Sequence, residues 1–302
     1  MSLVVVGSVA FDDVETRYGR KKKVLGGSAS YFSFVASNLS PVKVVAVVGD
    51  DFPQEYISLF ENRKVDIEGL VRKKGKTFFW RGKYSDDFTS RQTLQTDLNV
   101  FSGFNPLLPD IYKSAPFLFL ANIHPALQLQ VLKSMNGNPF VACDTMNLWI
   151  NTEKEKLLEL IKKVDLLTIN DEEARLLSGE FNIIKAGKAI QKMGPEYLII
   201  KRGEYGAILF LSETLFFVPA FPLLDFKDPT GAGDSFAGGF MGYIAGQGKV
   251  NEKIIKKSML YGAVCASFTV EDFSLERLQT LSPQQINSRY DKMINYINPN
   301  YI

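Results

Sequence analysis

The sequence predicts an α/β fold with three layers, α/β/α, built on a mostly parallel central sheet with a small antiparallel sheet beside it. Short, nearly continuous apolar runs recur along the chain, as expected of parallel strands that are buried on both faces. Longer segments with helical periodicity separate these runs, and this alternation is typical of a layered α/β protein. A stretch in which bulky and polar residues alternate interrupts the pattern and indicates the antiparallel sheet.

The apolar runs predict the strands of the central sheet, and the segments between them predict the helices. Strands are expected at residues 3–6, 44–48, 117–121, 140–143, 166–169 and 198–200. Helices are expected at residues 28–39, 53–62, 125–134, 153–163 and 182–192 and, in the last part of the chain, at 235–245, 252–269 and 283–297. Because no repeat or flexible linker divides the chain, residues 1–302 are predicted to form a single domain.

The antiparallel sheet is predicted from two pairs of short segments. Residues 77–84 and 89–96 alternate around a turn-forming Ser-Asp-Asp cluster, which is a hairpin pattern. Strands at 14–18 and 22–25 are expected to join them. The sheet would thus be inserted into the main domain at about residues 12–25 and 75–100, as a lid over a site.

Composition and charge exclude several classes of protein. The 302 residues are 46% hydrophobic, which is enough apolar surface for a folded core. The net charge of +2 is too small to attract nucleic acid over a distance, and the basic run at 20–23 has no aromatic neighbours for stacking and is expected to be a solvated turn. No uncharged apolar run approaches the roughly 20 residues of a membrane span, so a cytoplasmic location is expected.

The two cysteines and the single histidine limit the kinds of chemistry that the chain can perform. Cys143 and Cys265 stand in apolar surroundings and are expected to be buried, without a disulfide or a metal. His124 is the only histidine, which excludes chemistry that needs a pair, and it is expected to order the loop after a strand.

The most informative segment is 228–236, Asp-Pro-Thr-Gly-Ala-Gly-Asp-Ser-Phe, which leads directly into a helix. Glycines let backbone amides converge on a ligand, and a helix N-terminus favours negative charge, so the segment predicts an anion cradle. Asp234 could simply cap this helix, but a cap does not need Gly-Ala-Gly in front of it. Gly238 and Gly239 inside the helix indicate close approach by another backbone.

The segment resembles the C-terminal signature of the ribokinase-like (pfkB) carbohydrate kinase family, which also includes nucleoside kinases. The resemblance implies transfer of the γ-phosphoryl group of ATP to an alcohol. Asp234 would accept the hydroxyl proton, and the amides of Gly231, Ala232 and Gly233 would stabilise charge on the transferred group. Gly231 and Gly233 would also contact the nucleotide.

The acceptor side of the resemblance lies near the N-terminus. Segment 7–12, Gly-Ser-Val-Ala-Phe-Asp, is similar to the family's first strand and loop, which makes Asp12 the ligand of acceptor hydroxyls, with the adjacent Asp13 as the alternative. Gly26 and Gly27 resemble the glycine pair against which the acceptor lies. Where sugar kinases of the family often carry asparagine, this chain has Tyr31, which would either stack on a ring of the acceptor or fill the helix core.

The metal and nucleotide positions follow in order. Asn170 and Glu173 match an Asn-x-x-Glu motif that implies Mg²⁺ held through water, whereas the alternative is a helix start with acidic residues that complement its dipole.

Lys201 and Gly203 resemble the family's nucleotide-binding turn, where many relatives carry threonine in place of this lysine. Asp228 and Thr230 match positions that hold a monovalent cation such as K⁺ in some relatives.

Two further groups of residues are candidates without a settled role. Asp144 and Asn147 follow a strand and either face the crevice or cap a turn. Arg81 and Arg91 lie on the lid hairpin, and the alternation does not decide which face each takes.

Three functions compete. The first is a sugar kinase; the second is a nucleoside kinase, which Tyr31 and the aromatic lid segment 78–80 favour; the third is a non-catalytic relative that binds a metabolite, against which the intact Asp234 argues. The resemblance also implies a homodimer that pairs through the lid.

Overall fold

The computed structural model describes residues 1–298. Its strands are β1 Leu3–Val6, β2 Ala10–Thr16, β3 Gly19–Gly26, β4 Val42–Gly49, β5 Asp66–Lys73, β6 Phe79–Tyr84, β7 Arg91–Asp97, β8 Phe117–Leu120, β9 Phe140–Asp144, β10 Leu166–Asn170, β11 Tyr197–Lys201, β12 Ala207–Phe210 and β13 Leu215–Val218. Its helices are α1 Ser28–Ala36, α2 Gln54–Asn62, α3 Pro125–Ser134, α4 Asn147–Thr152, α5 Lys154–Ile161, α6 Asp171–Ser178, α7 Ile183–Gln191, α8 Ala232–Gln247, α9 Glu252–Thr269, α10 Glu276–Gln279 and α11 Pro283–Ile297.

Nine strands form the central sheet, in the order β13-β12-β11-β10-β9-β8-β1-β4-β5. The seven strands from β11 to β5 pair in parallel, and only β12 and β13 at one edge are antiparallel. The predicted three-layer fold with a mostly parallel sheet is therefore confirmed.

The side chains of the central strands alternate between two apolar layers. In β1, Leu3 and Val5 face the layer of α1, α2, α8, α9 and α11, whereas Val4 and Val6 face the layer of α3, α5, α6 and α7. All four side chains are fully buried, which explains why the strand has no polar face.

The second sheet, here called the lid, has the order β3-β2-β6-β7. Its two hairpins are antiparallel, but they join each other through a parallel pairing of β2 with β6. The basic run at 20–23 lies within β3 and not in a turn, which corrects the prediction. Three of its side chains form ion pairs: Arg20 with Asp13 at 2.9 Å, Lys21 with Glu276 at 2.8 Å and Lys23 with Asp51 at 3.9 Å.

Cys143 and Cys265 are buried as free thiols, as their apolar neighbours predict. Within residues 1–298 no helix has the length and apolar character needed to cross a membrane.

Candidate active site

The candidate site lies where parallel strands of the central sheet end. Asp144 ends β9, Asn170 ends β10 and Lys201 ends β11, and the three strands are neighbours in the sheet. The Lys201 Nζ atom lies 3.1 Å from Asp144 Oδ2, so side chains from separate strands meet at this edge. Crevices beyond the carboxyl ends of parallel strands are where open α/β sheets bind ligands.

The segment predicted to form an anion cradle lies at the start of α8. Gly231 precedes the helix with φ 76°, a left-handed conformation that glycine adopts without a steric penalty. A Cβ on Gly231 would overlap with the Tyr31 ring, and a Cβ on Gly233 would lie 3.1 Å from Lys201 Nζ. The amide of Ala232 already donates to the carbonyl oxygen of Pro229 at 3.2 Å, so Gly231 and Gly233 match the cradle better than Ala232 does.

Asp234 is the third residue of α8 and is half-buried. Gly231 occupies the N-cap position of α8, and Asp234 lies three residues further along the chain, so the interpretation of Asp234 as the helix cap is wrong. Burial raises the pKa of Asp234 to about 7; the Asp144 carboxyl adds to the rise, while Lys201 and Arg91 oppose it. A carboxyl with such a pKa is a stronger base than an ordinary aspartate and is still ionised in a large fraction at neutral pH.

Asp12 and Asp13 lie on opposite faces of β2, as the period of a strand requires. Asp13 is used within the lid, since it pairs with Arg20 and accepts the Lys23 amide at 2.6 Å. Asp12 is only 4% exposed, and burial raises its pKa to about 8, with contributions from the Asp228 and Asp234 carboxyls. Asp12 is therefore the member of the pair that shares the electrostatic environment of Asp234.

The glycine pair gives Asp12 its space. A Cβ on Gly26 would overlap with the Asp12 carboxyl, and Gly27, at φ 93°, brings the chain so close to Ser8 that a Cβ would lie 2.5 Å from its carbonyl oxygen. Close approach to Asp12 and Ser8 therefore requires glycine at both positions, which an ordinary strand-to-helix turn would not.

Tyr31 is 1% exposed, and its ring packs beneath Gly231. This position matches the core-filling alternative rather than a stacking surface. Its hydroxyl has no hydrogen-bond partner within residues 1–298, and burial, followed by Asp12 and Asp228, raises the Tyr31 pKa well above its usual range. A substrate-binding role for Tyr31 stays a prediction, which only the hydroxyl could fulfil.

Asn170 and Glu173 form a capping box at the start of α6. Asn170 Oδ1 accepts the Glu173 amide at 2.7 Å, and Glu173 Oε2 accepts the Asn170 amide at 2.8 Å. The helix-start alternative is therefore realised, but it does not explain why burial and Asp144 raise the pKa of Glu173 to about 7. Hard oxygen donors at the edge of the crevice fit Mg²⁺ held through water, and that role stays a prediction.

Lys201 is the cation at the centre of the site. Burial opposes its charge, but the carboxyls of Asp144, Glu173 and Asp234 outweigh this effect, so the Lys201 pKa lies above its ordinary value. Two residues after Lys201, Gly203 adopts φ 55° in a tight turn. Arg202 closes this turn by donating its amide to the Gly206 carbonyl oxygen at 2.7 Å. The ammonium group and this turn border the same crevice.

Asp228 and Thr230 have protein partners. The fully buried Asp228 accepts the Thr230 amide at 2.8 Å and the Ser274 amide at 3.2 Å. The Thr230 hydroxyl lies 3.1 Å from the Tyr84 hydroxyl. Monovalent-cation binding by these two residues stays a prediction.

The structure assigns faces to the lid residues. Tyr84 and Arg91 are opposite each other in register, and Arg91 lowers the pKa of Asp12, Glu173 and Asp234, so its charge faces the site. Arg81 instead contributes to the field at Glu15 on the other face. Neither assignment could be read from alternation alone.

Among the aromatic lid residues, only Trp80 pairs in register with Asp12. Phe78 stacks on Phe101 with ring centroids 5.3 Å apart, and Phe79 packs against the main core. Within the segment 78–80, an aromatic surface on the face of Asp12 therefore comes from Trp80.

Outside the crevice, the His124 imidazole Nδ1 accepts the Ala126 amide at 3.1 Å and caps α3, which confirms its loop-ordering role.

A model of the family described as pfkB family carbohydrate kinase matches residues 2–280. A protein of Thermococcus kodakarensis named cytidine kinase is 29% identical over 255 residues, which cover 82% of this chain and 90% of the relative. The crystal structure of the Methanocaldococcus jannaschii nucleoside kinase covers 96% of this chain and 98% of its own, with a TM-score of 0.77 at 22% identity. A ribokinase II from E. coli, solved in complex with ATP and Mg²⁺, covers 97% of this chain and 100% of its own, with a TM-score of 0.80 at 17% identity.

Proposed function

Because this chain belongs to the pfkB family of carbohydrate kinases, it is an ATP-dependent kinase, and we propose that it phosphorylates the hydroxymethyl group of a nucleoside, with Asp234 as the base. The observation that carries the proposal is the position of Asp234 in the first turn of α8, behind the left-handed Gly231 and within the electrostatic field of Asp12.

A nucleoside is favoured over a free sugar on two grounds. A relative whose similarity covers 82% of this chain is named cytidine kinase. In addition, the Trp80 ring lies on the same lid face as Asp12, where it can cover a planar base, because every base has a face that stacks on aromatic rings. A sugar kinase remains the second candidate, since the family includes enzymes of both kinds.

In the proposed reaction Asp234 accepts the proton of the acceptor hydroxyl as that oxygen bonds to the γ-phosphorus of ATP. The bond from this phosphorus to the β–γ bridging oxygen breaks, and ADP is the leaving group. Asp12, with a pKa of about 8, is largely protonated at pH 7 and can donate one hydrogen bond to an acceptor hydroxyl as well as accept one. The amides of Gly231 and Gly233 and the ammonium of Lys201 stabilise negative charge on the transferred group. Mg²⁺, positioned through water by Asn170 and Glu173, would neutralise charge on the nucleotide phosphates.

A panel of acceptors tests the substrate class. Cytidine, uridine, adenosine, ribose and fructose would each be supplied with ATP and Mg²⁺, with ADP release and product mass as readouts. At least one nucleoside should exceed ribose and fructose in kcat/KM by about a hundredfold or more, because a site that binds a base gains contacts that a free sugar lacks. A pentose or hexose as the best acceptor would replace the nucleoside proposal with the sugar alternative.

Asp234→Asn tests the base. Loss of a positioned general base should lower kcat by about a hundredfold to ten-thousandfold, while ATP binding measured by calorimetry stays within about twofold. Asp13→Asn, the same chemical change on the outer face of β2, is the matched control and should keep kcat within a few fold. Near-normal turnover in Asp234→Asn would remove the catalytic assignment.

A homodimer that pairs through the lid also remains a proposal. It is supported by β7, an edge strand whose seven residues are all exposed, because an unpaired strand edge is a template for association. Light scattering at micromolar concentration distinguishes a dimer from a monomer.

A further inference from the structure

The lid contacts the loop that precedes α8 through Tyr84. This residue ends β6, is 7% exposed, and places its hydroxyl 3.1 Å from Thr230 Oγ1. Thr230 directly precedes Gly231, the left-handed residue on which the anion cradle depends. A single hydrogen bond therefore links the lid to the residue before the cradle.

Packing around Tyr84 reinforces this link. Tyr84, Val14 of β2 and Phe273 of the loop after α9 form a small buried apolar cluster. The residue after Phe273 donates its amide to Asp228 Oδ2 at 3.2 Å, and Asp228 Oδ1 in turn accepts the Thr230 amide at 2.8 Å. Thr230 is thus held on two sides, by Asp228 through its amide and by Tyr84 through its hydroxyl.

The tip of the lid hairpin makes a second contact with the same loop. The Phe88 ring packs on Phe226 with centroids 4.7 Å apart, and Phe226 stands two residues before Asp228. Phe88 adopts φ 58°, an uncommon conformation for a residue with a bulky side chain, in the turn that brings its ring to this position. The lid therefore contacts the loop that precedes α8 at two points, Thr230 and Phe226.

From these contacts we infer that Tyr84 is a positioning residue that couples the lid to the anion cradle through Thr230. The inference rests on the proposed phosphotransfer and adds a device to it: the lid that covers the acceptor also fixes the turn that receives the transferred group. Catalytic groups must be held within about 0.5 Å of their productive geometry. Release of Thr230 on one side should therefore reduce turnover more than it weakens nucleotide binding.

Tyr84→Phe removes only the hydroxyl and leaves the ring in its apolar cluster. A lost hydrogen bond of about 1 kcal/mol corresponds to a factor of about five, so kcat with the best nucleoside of the panel should fall by about fivefold, while the KM for ATP stays within about twofold. Thr230→Val removes the partner hydroxyl, and the double variant should be about as slow as either single one, because both lose the same contact.

Tyr112→Phe is the matched control. Its hydroxyl bonds to Asp66 at 2.5 Å at the far side of the central sheet, so the same chemical change should leave kcat at the wild-type value. Equal loss of kcat in Tyr112→Phe and Tyr84→Phe, or additive losses in the Tyr84 and Thr230 double variant, would overturn the coupling.

Hydrogen exchange of the unliganded protein gives a readout that does not depend on activity. Amides of the 228–233 peptide should exchange faster in Tyr84→Phe than in the wild type and in Tyr112→Phe, since local opening controls exchange. Faster exchange in a protein whose wild type phosphorylates no acceptor would support the coupling while refuting the proposed function. Wild-type kcat or unchanged exchange in Tyr84→Phe would overturn the coupling and leave the proposed function intact.

Discussion

Three carboxyls with strongly raised pKa values characterise the candidate site. Burial raises the pKa of Asp12 to about 8 and that of Glu173 and Asp234 to about 7. Each group could have a structural explanation by itself, as the capping box of Glu173 shows. Perturbed carboxyls from three separate segments that face one crevice are, however, typical of a functional site.

The two roles of Glu173 can be separated by Glu173→Gln. Glutamine keeps an amide oxygen that can accept the Asn170 amide, so the capping box and the melting temperature should be retained. It removes the negative charge, so the free Mg²⁺ concentration that gives half-maximal activity should rise by about tenfold, since ligand charge sets affinity for hard cations.

The exposed neighbour Glu172 provides the control for this measurement. Glu172→Gln makes the same change in charge outside the crevice and should leave the Mg²⁺ midpoint at the wild-type value. If the Mg²⁺ midpoint of Glu173→Gln equals that of the wild type and of Glu172→Gln, Glu173 has only its capping role.

At the level of single residues, the sequence predicted which segments contribute to the site but not which side chains of those segments point into it. Asp234, Asp12, Glu173 and Lys201 were all predicted, because motifs and strand ends mark them in the sequence. The choice between Asp12 and Asp13 could not be made, because alternation says that two neighbours point apart and not which one points inward. The position of Asp144, paired with Lys201, stayed open for the related reason that a pairing between strand ends is not local.

Among the elements, α8 shows why glycine occurs inside a helix. A Cβ on Gly238 would lie 2.5 Å from the Phe32 carbonyl oxygen of α1, and one on Gly239 would lie 2.7 Å from the Tyr261 carbonyl oxygen of α9. The close backbone approach predicted from these glycines is confirmed on two sides of the helix. The cradle at the start of α8 is thus supported by neighbours packed at backbone distance.

Gly238→Ala should destabilise the protein although alanine is the better helix former. The gain in helix propensity is about 1 kcal/mol, whereas overpacking of a close contact costs about 1–3 kcal/mol, and a carbonyl oxygen in backbone has little freedom to move. Urea denaturation should therefore show a lower free energy of unfolding. Gly103→Ala, where nothing lies within 4 Å of the added Cβ, is the control and should be near neutral. A Gly238→Ala protein as stable as the wild type would mean that α1 and α8 can separate without loss.

Element boundaries were predicted best where both faces of a strand are buried. The first strand and the helices at 125–134, 252–269 and 283–297 match their predicted bounds. β5, at the edge of the sheet, was missed because charged residues interrupt it. β12 and β13 were missed because they follow β11 through short connections, whereas the predicted pattern was of strands separated by helices. Helix α6 was expected only as the alternative interpretation of the acidic motif at 170–173, because the same residues suggested a metal.

At the scale of the whole molecule, the sequence predicted the lid as an insertion but not the contacts that the lid makes with the loop before α8. Tyr84 and Thr230 are 146 residues apart, and Ser274 donates its hydroxyl to the Leu25 carbonyl across 249 residues. Such contacts leave no periodic pattern in the sequence. The proposed coupling between the lid and the cradle therefore could not be predicted from the sequence and requires the structure.

The raised carboxyl pKa values also predict how the stability of the whole unliganded protein depends on pH. The ordinary pKa of Asp12 and Asp234 is 3.8 and that of Glu173 is 4.5, whereas in the fold burial raises these pKa values to about 7 to 8. Between these limits the folded protein keeps protons that the unfolded chain has lost. The free energy of unfolding should therefore fall as the pH rises from about 5 to about 8. Each group contributes a slope of at most about 1.4 kcal/mol per pH unit.

Urea denaturation of the wild type and of Asp12→Asn across this range tests the origin of the slope. The amide cannot titrate, so Asp12→Asn should lose one group's share of the pH dependence, whatever its stability at any single pH. Groups with a lowered pKa, such as Asp87 at about 2, which accepts hydrogen bonds from Ser85 and Thr89, titrate below the range and cannot imitate the effect. Identical slopes in the two proteins would mean that Asp12 releases its proton in the fold as readily as in the unfolded chain. Its proposed ability to donate a hydrogen bond to the acceptor at neutral pH would then be lost.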